Sequence, residues 1–425
     1  MKFTASQEWL NRAKDLIPLG AQTFSKSITQ FPEGISPLYC ERGLGGRLWD
    51  IDGNCFVDLI SGLASVTIGY CDIDVNEAVL HQLGKGVTFS LSSKLEVDVA
   101  ELVCEMVPSA EMVRFAKNGS DVTSAAVRLS RALTSRDIIL TSGYHGWHDW
   151  YIGITTMHRG VPKSVSDLTD KFEFNNIESF ESALERHKNN VAGIILEPLA
   201  AIIPDLSFLQ HVRSRTKELG IVLIFDEIVT GFRIAPGGAQ EYFGITPDLT
   251  CLGKGIANGF PLSALAGKKE LMKLLEGVFF SGTFGGESLS LAAAKVVLNK
   301  VKRGATELLR QKGSTLKTEI EKVFSELNFE LAHFSGHDSW KFLLWNISNA
   351  QETQKVKTLF LQEMINNGVL ILSSHNVMVG HTQEDFDFIR DAYRKSLEVI
   401  QLAHASQKYE QFLKVDPIKP LFTVR

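Results

Sequence analysis

Cysteine is scarce in this chain and badly spaced for any framework. The five residues are Cys40, Cys55, Cys71, Cys104 and Cys251. The count is odd and no two stand at C-x-x-C spacing, which argues against a disulfide scaffold or zinc knuckle and fits a reducing compartment. Long hydrophobic runs are missing too. The most apolar long window, Val191 to Leu209, is interrupted by Glu197, Pro198, Pro204 and Asp205, so it cannot span a bilayer. The first twenty residues hold no apolar stretch of the kind that a secretory signal needs. An excess of basic charge is likewise absent. Lysine and arginine number 44 against 49 acidic residues, for a net charge of −5, which offers no field for nucleic acid. There is no low-complexity tract and no repeat at solenoid period. These absences predict a cytoplasmic protein that works without nucleic-acid or membrane partners.

What remains is a globular composition, 44% hydrophobic and 22% charged over 425 residues, enough for a large core and more than one domain. Residues 7–16 read as a short helix. Leu48 to Cys55 reads as a strand, a tight Asp-Gly-Asn turn and a second strand. From about residue 112, short unalternated apolar runs alternate with helical patterns. Val113–Ala116, Ile138–Leu140, Val191–Leu196 and Ile221–Phe225 are the runs. Val122, Ala126, Leu129 and Leu133 mark the apolar face of one helix, and Phe208, Leu209, Val212 and Leu219, closed by Gly220, mark another. Strands buried on both faces belong to a mostly parallel sheet covered by helices. Beyond about 305 the pattern changes to a smaller α+β lobe that ends in a long helix over 384–404. The expected organisation is therefore an N-terminal segment, 1–50, packing with that lobe; a large domain, 51–305; and a small domain, 306–425.

Four local features carry chemistry. The apolar strand ending at Phe225 runs straight into Asp226-Glu227, and carboxyl ends of strands in open α/β sheets are where ligands bind. Read alone, such an acid is more often a helix cap. Lys254 stands between Gly253 and Gly255, where its amine is open to close approach and to Schiff-base formation with a carbonyl. Read alone, it is a surface lysine in a turn. It is no P-loop, because Asp248 and Gly255 occupy the positions that require glycine and a hydroxyl residue. Lys117-Asn118-Gly119-Ser120-Asp121, between a strand and a helix, has the makings of an anion cradle, though capping explains it equally well. Tyr144-His145-Gly146-Trp147-His148-Asp149-Trp150 is dense in rings and can stack on a flat ligand. The His145/His148 spacing has no third ligand nearby, so no metal site is expected. A cradle, a stacking ring, an acid and a Schiff-base lysine together match one cofactor, pyridoxal 5′-phosphate.

The stretches LIFDEIVTGFR (223–233), GGAQEYFGITPDLTCLGKGIANGFPLSALAG (237–267), RFAKNGSDVTSAAVRLSRA (114–132), GYHGWHD (143–149) and RLWDIDGNCFVDLISG (47–62) make the resemblance specific. The chain resembles the class III, fold-type I aminotransferases, in the branch around glutamate-1-semialdehyde aminomutase. That resemblance implies an α/β fold with a mostly parallel seven-stranded sheet and a smaller α+β domain built from both chain ends. It implies that Lys254 carries pyridoxal phosphate, Asp226 pairs with its pyridine nitrogen, and Gly119 and Ser120 hold its phosphate. Tyr144 would stack on the ring, Ile228 would pack on the other face, and Glu197 would lie near the site. Thr283 would reach the phosphate of a neighbouring subunit, in a homodimer with shared active sites.

The matches weaken at the substrate. Lys26 falls at or near an arginine that grips the substrate carboxylate, and a lysine lacks the bidentate fork. Leu199 to Pro204 is apolar and free of glycine where the aminomutase has a mobile gate. Gly285-Gly286-Glu287 replaces the family's Ser-Gly-Asn. The expectation is an aminotransferase that takes an amino group from an amino-acid donor and gives it to an aldehyde or keto acceptor. A Glu287 facing the substrate would suit an acceptor rich in hydroxyls, such as a carbohydrate. The alternative is the 2,1-aminomutase itself. A racemase or decarboxylase on the same fold is less consistent with these motifs. A non-enzymatic binding protein is opposed by the retention of Lys254 and Asp226. A nicotinamide dehydrogenase is opposed by the lack of G-x-G-x-x-G before a helix.

Overall fold

The computed structural model describes residues 1–419; residues 420–425 of the expected small domain lie outside the described residues. Contacts divide the chain into two units. One comprises Met1–Leu63, Thr67–Asp72 and the chain from Leu308; the other comprises Ala64–Val66 and Ile73–Glu307. A boundary at residue 50 would cut a hairpin. Arg47–Asp50 and Cys55–Asp58 are antiparallel partners, with Leu48 opposite Phe56, so both strands stay in the first unit and the break comes after residue 63. The turn between them forms because Gly53 takes φ +84° and the Asp50 carboxylate accepts from the amides of Asp52 and Asn54.

The larger unit is built on a seven-stranded sheet. Its strands are β1 (Met112–Ala116), β2 (Ile138–Ser142), β3 (Thr169–Lys171), β4 (Val191–Leu196), β5 (Val222–Glu227), β6 (Leu249–Leu252) and β7 (Ser263–Gly267). Their spatial order is β1-β7-β6-β5-β4-β2-β3, and only β7 runs against its neighbours. All residues of β4 and β5 are buried. Successive side chains alternate between two cores. Ile195 and Ile224 meet Val122, Ala126 and Leu129 of helix α1 (Gly119–Thr134). Ile194 and Leu223 meet Phe208, Leu209 and Val212 of helix Leu206–Leu219. This double covering is the physical reason that these strands read as unbroken apolar runs. Leu133 departs from the expected apolar face: it is half exposed, in the last turn of α1.

The smaller unit has a four-stranded sheet of Cys40–Leu44, Arg47–Asp50, Cys55–Asp58 and Val369–Leu370, and a three-stranded sheet of Ala332–His337, Trp340–Trp345 and Ser374–His375. Helix Gln383–Ser406 buries Ile389, Tyr393, Leu397 and Ile400 in its core. Among the described residues no helix is long and apolar enough to cross a membrane.

This unit encloses neutral histidines. Burial pushes His375 down to about 3 and His381 down to about 4. His375 Nε2 meets the Tyr393 hydroxyl, and His381 Nδ1 accepts from the Met378 amide at 2.9 Å. An unfolded chain takes up these protons near the ordinary value of 6.5, whereas the folded unit does not. Stability from a buried neutral histidine is therefore full above that value and falls as pH drops toward the folded one. The slope is about 1.4 kcal/mol per pH unit per histidine. His375→Gln cannot take the proton. Urea unfolding at pH 6.5 and 4.5 should show the wild type losing stability relative to this variant; parallel profiles would contradict the buried neutral state.

Candidate active site

One row of residues runs straight across four strands. Ser142 of β2 pairs with Leu196 of β4, Leu196 with Phe225 of β5, and Phe225 with Thr250 of β6. The strands are parallel, so all four end on the same edge. One residue further lie Glu197 and Asp226; two residues past Ser142 lies Tyr144; and four past Thr250 lies Lys254. The sheet thus gathers residues that are more than a hundred positions apart in sequence.

Asp226 is almost wholly buried. Its Oδ2 lies 2.8 Å from His145 Nδ1, and its Oδ1 accepts from the Ile228 amide at 3.2 Å. His145 Nε2 lies 3.2 Å from the Ser142 carbonyl, so the imidazole is held at both nitrogens. The next residue, Glu227, points to the opposite face of β5. Its carboxylate is used to cap helix Ala239–Phe243, accepting from the amides of Ala239 and Gln240, from the Gln240 side chain and from the Thr230 hydroxyl.

Lys254 takes φ +40°, in the left-handed region, just after the extended Gly253. Its amine sits deep in the unit. Desolvation lowers its pKa, and the buried Arg233 guanidinium lowers it further, while the charges of Glu197 and Asp226 work the other way. Arg233 itself is pushed down to about 10 by burial. Glu197 accepts from the Tyr144 amide at 2.8 Å, and burial together with the Asp226 charge raises its pKa. Two acids, an amine and a guanidinium therefore share one low-dielectric pocket.

The cradle lies beside them. Gly119 opens α1, and Ser120 is buried in its first turn. Ile228 links cradle and lysine: a β-carbon on Gly119 would come within 2.5 Å of Ile228 Cδ1, and one on Gly253 within 3.4 Å of Ile228 Cγ2. The loop after β2 passes directly over the cradle. A β-carbon on Gly146 would stand 2.2 Å from Ser120 Oγ, which accepts from the Trp147 amide at 3.3 Å. Thr123 Oγ1 donates to the His145 carbonyl at 3.0 Å. Tyr144 is half exposed and meets Tyr151 edge-on, with ring centroids 5.7 Å apart. The structure thus brings Gly119, Ser120, Tyr144, Glu197, Asp226, Ile228 and Lys254 together.

Thr283, expected at the phosphate of a neighbouring subunit, is on an exposed loop and lines a cleft of about 1180 Å³ together with Phe115, Lys117 and Arg128. Lys26 belongs to the other unit, where it is exposed and its charge acts on the buried Asp58. Glu287 does not present a free carboxylate to a substrate. It caps helix Ser288–Lys302 through the amides of Leu289 and Ser290, accepts from Ser290 Oγ at 2.6 Å, and pairs with Lys117 Nζ at 3.0 Å. An acid just before a helix start is drawn to the amides there. Conversely, His145 was no part of the expected set. Its H-x-x-H spacing drew attention to metal chemistry, and its actual partner lies 81 positions away.

Comparison with known proteins agrees with this geometry. A family model described as Aminotransferase class-III matches residues 31–401. The 3-aminobutyryl-CoA aminotransferase of Cloacimonas acidaminovorans is 32% identical over 412 residues, covering 94% of this chain and 98% of that one. The glutamate-1-semialdehyde 2,1-aminomutase of Natranaerobius thermophilus is 34% identical over 342 residues, covering 76% and 79%. The structure of the FumI protein of Sphingopyxis sp. MTA144, in its PLP internal aldimine form, is similar with a TM-score of 0.89 at 26% identity, covering 96% of this chain and 100% of that one.

The His145–Asp226 pair makes a direct prediction. His145→Leu strips a buried carboxylate of its side-chain donor and should cost about 1–3 kcal/mol in urea unfolding. His145→Asn, which keeps a donor near the Nδ1 position, should recover part of that. Equal stability of the leucine variant and the wild type would show that the pair bears no load.

Proposed function

Because the chain belongs to the class III aminotransferases, we propose that it binds pyridoxal 5′-phosphate and moves an amino group from an amino-acid donor to the carbonyl of a second small molecule. The observation that carries this reading is the Lys254 amine, depressed by burial and by Arg233, on the same strand edge as Asp226 and the Gly119–Ser120 cradle. The site fits the cofactor on its own terms. A helix N-terminus with free amides suits a phosphate. Ile228 and Tyr144 offer an aliphatic and an aromatic surface for a flat ring. The carboxylate fixed by His145 suits a ring nitrogen that must keep its proton.

The bound cofactor supplies an aldehyde for amine capture and a ring that withdraws electrons from the substrate carbon. The protein supplies the rest. Asp226, oriented by His145 and the Ile228 amide, holds a proton at the ring nitrogen. Lys254 holds the cofactor between turnovers; burial and Arg233 lower its pKa, which favours the neutral amine that a proton-moving base must present. Glu197 positions Tyr144 through the Tyr144 amide and lends negative potential to Lys254.

An intermolecular aminotransferase is favoured over the mutase by the sequence departures at Lys26 and Leu199–Pro204. The argument for a carbohydrate-like acceptor rested on a free Glu287. With that carboxylate engaged, Glu287 gives no ground against an acceptor that bears its own carboxylate. The mutase is the second reading, supported by relatives of that name.

Purified protein should be yellow, and borohydride reduction should place the pyridoxyl group on Lys254. Amino-acid donors added singly should bleach the bound chromophore. Conversion of glutamate 1-semialdehyde alone to 5-aminolevulinate, without any donor, would overturn the aminotransferase reading in favour of the mutase.

The same proposal includes a homodimer with shared sites. Its support is the loop around Thr283, which exposes Phe279 and Phe284 while Arg128 and Arg114 donate to the carbonyls of Phe279 and Phe280. Thr283→Ala should weaken cofactor binding, and the active species should sediment as a dimer or larger. A fully active monomer would remove Thr283 from the site.

A further inference from the structure

Helix α1 carries a polar stripe as well as its apolar face. Ser120, Thr123 and Ser124 stand at i, i+3 and i+4, on one side of the helix. Ser120 and Thr123 touch the loop at the cofactor end. Ser124 lies further along and has no place in the chemistry described above, yet it is tightly engaged. Its Oγ lies 2.7 Å from His148 Nδ1 and accepts from the Trp150 indole at 2.9 Å.

The donor bookkeeping sets the direction of the indole bond. An indole N–H can only donate, so Trp150 occupies one lone pair of Ser124 Oγ. The second lone pair and the hydroxyl proton remain for His148 Nδ1, so this bond closes with either tautomer of the ring. Trp150, fixed in this way, lies nearly parallel to His145, with centroids 6.4 Å apart and planes at 13°. His145 in turn holds Asp226. Trp150 is buried, so little besides these contacts and the core behind it sets its ring. On the other side, His148 meets the exposed Trp147 edge-on at 4.7 Å. The loop bends at Gly143 and Gly146, both at positive φ.

We propose that Ser124, His148 and Trp150 form a clasp that positions the Tyr144–Trp147 loop and backs the His145–Asp226 pair. His148 and Ser124 are thereby positioning residues for the aminotransferase reaction. The clasp rests on the reading that this site binds pyridoxal phosphate. Its reach is one hydrogen bond and one ring contact from His145, and it touches no reacting atom.

The test separates position from mere stability. Ser124→Ala removes both bonds, and His148→Leu removes the ring partner. His148→Asn restores a hydrogen-bonding group near the Nδ1 position. The alanine and leucine variants should bind pyridoxal phosphate roughly tenfold more weakly, the worth of about one net hydrogen bond. They should also alter the visible circular dichroism of the bound cofactor, which a purely structural role would leave unchanged. His148→Asn should recover both signals, and the Ser124→Ala/His148→Leu double variant should be no worse than Ser124→Ala. Thermal midpoints taken alongside identify any variant that fails to fold; the asparagine variant then decides the matter. Wild-type affinity and dichroism in His148→Leu would overturn the clasp while leaving the cofactor reading intact. So would an asparagine variant no better than leucine. Absence of cofactor binding in the wild type would overturn both.

Discussion

The register that sets Ser142, Leu196, Phe225 and Thr250 side by side decides where four parallel strands let go of the chain. Strand side chains alternate, so a slip of one residue in β5 would turn Asp226 away from His145 and swing Glu227 into its place. Glu227 is already committed to the amides of Ala239 and Gln240. The slip would therefore break a helix cap and bury an unpaired acid at the same time. The apolar rows on both faces of β4 and β5 enforce the same register from within, since each face must meet its own layer of helices. Core packing and active-site geometry are thus one constraint, read at the middle and at the end of the same strands.

At that edge the electrostatic problem is to keep charge where water cannot reach it. Burial favours a neutral Lys254 and a protonated Glu197, while each group's charge favours ionisation of the other. Arg233 adds positive potential and tilts Lys254 toward the free amine. Asp226 alone receives a side-chain donor at close range, from His145. The site thus separates two carboxylates chemically: one is pinned and partnered, the other is held by a single amide and left responsive to its surroundings. Such a separation by environment lets similar groups take different parts in one reaction.

Much of this was legible in the chain itself, for physical reasons. Strands buried on both faces announce themselves as unbroken apolar runs, so Val191–Leu196 and Ile221–Phe225 were visible without any partner. Asp226 and Lys254 were visible because an acid closing such a run, and a lysine between glycines, are local patterns; the family resemblance then turned patterns into roles. His145 was not legible, because its meaning depends on strand register rather than on neighbours in sequence. Its spacing from His148 carried no metal site for want of a third ligand, and the two rings face different partners. Glu287 was misread for a related reason. An acid beside a glycine pair looks free until the helix that it caps is in view. The hairpin of Arg47–Asp50 and Cys55–Asp58 lies across the expected boundary at residue 50, because ladder pairing keeps both strands in one unit whatever the local sequence pattern.

Backbone strain follows the same logic as charge. Gly143 and Gly146 take φ +106° and +104°, a region where a β-carbon is costly, and at both positions the sequence carries none. A side chain there would also strike Glu197 or Ser120. Lys254 takes φ +40° and carries a side chain regardless. A left-handed, non-glycine residue costs of order 1–3 kcal/mol and persists only where its surroundings over-determine it. Glycine would remove the strain, but it would remove the amine as well. At Lys254 the bend that carries the strain also delivers the amine, which a glycine there could not.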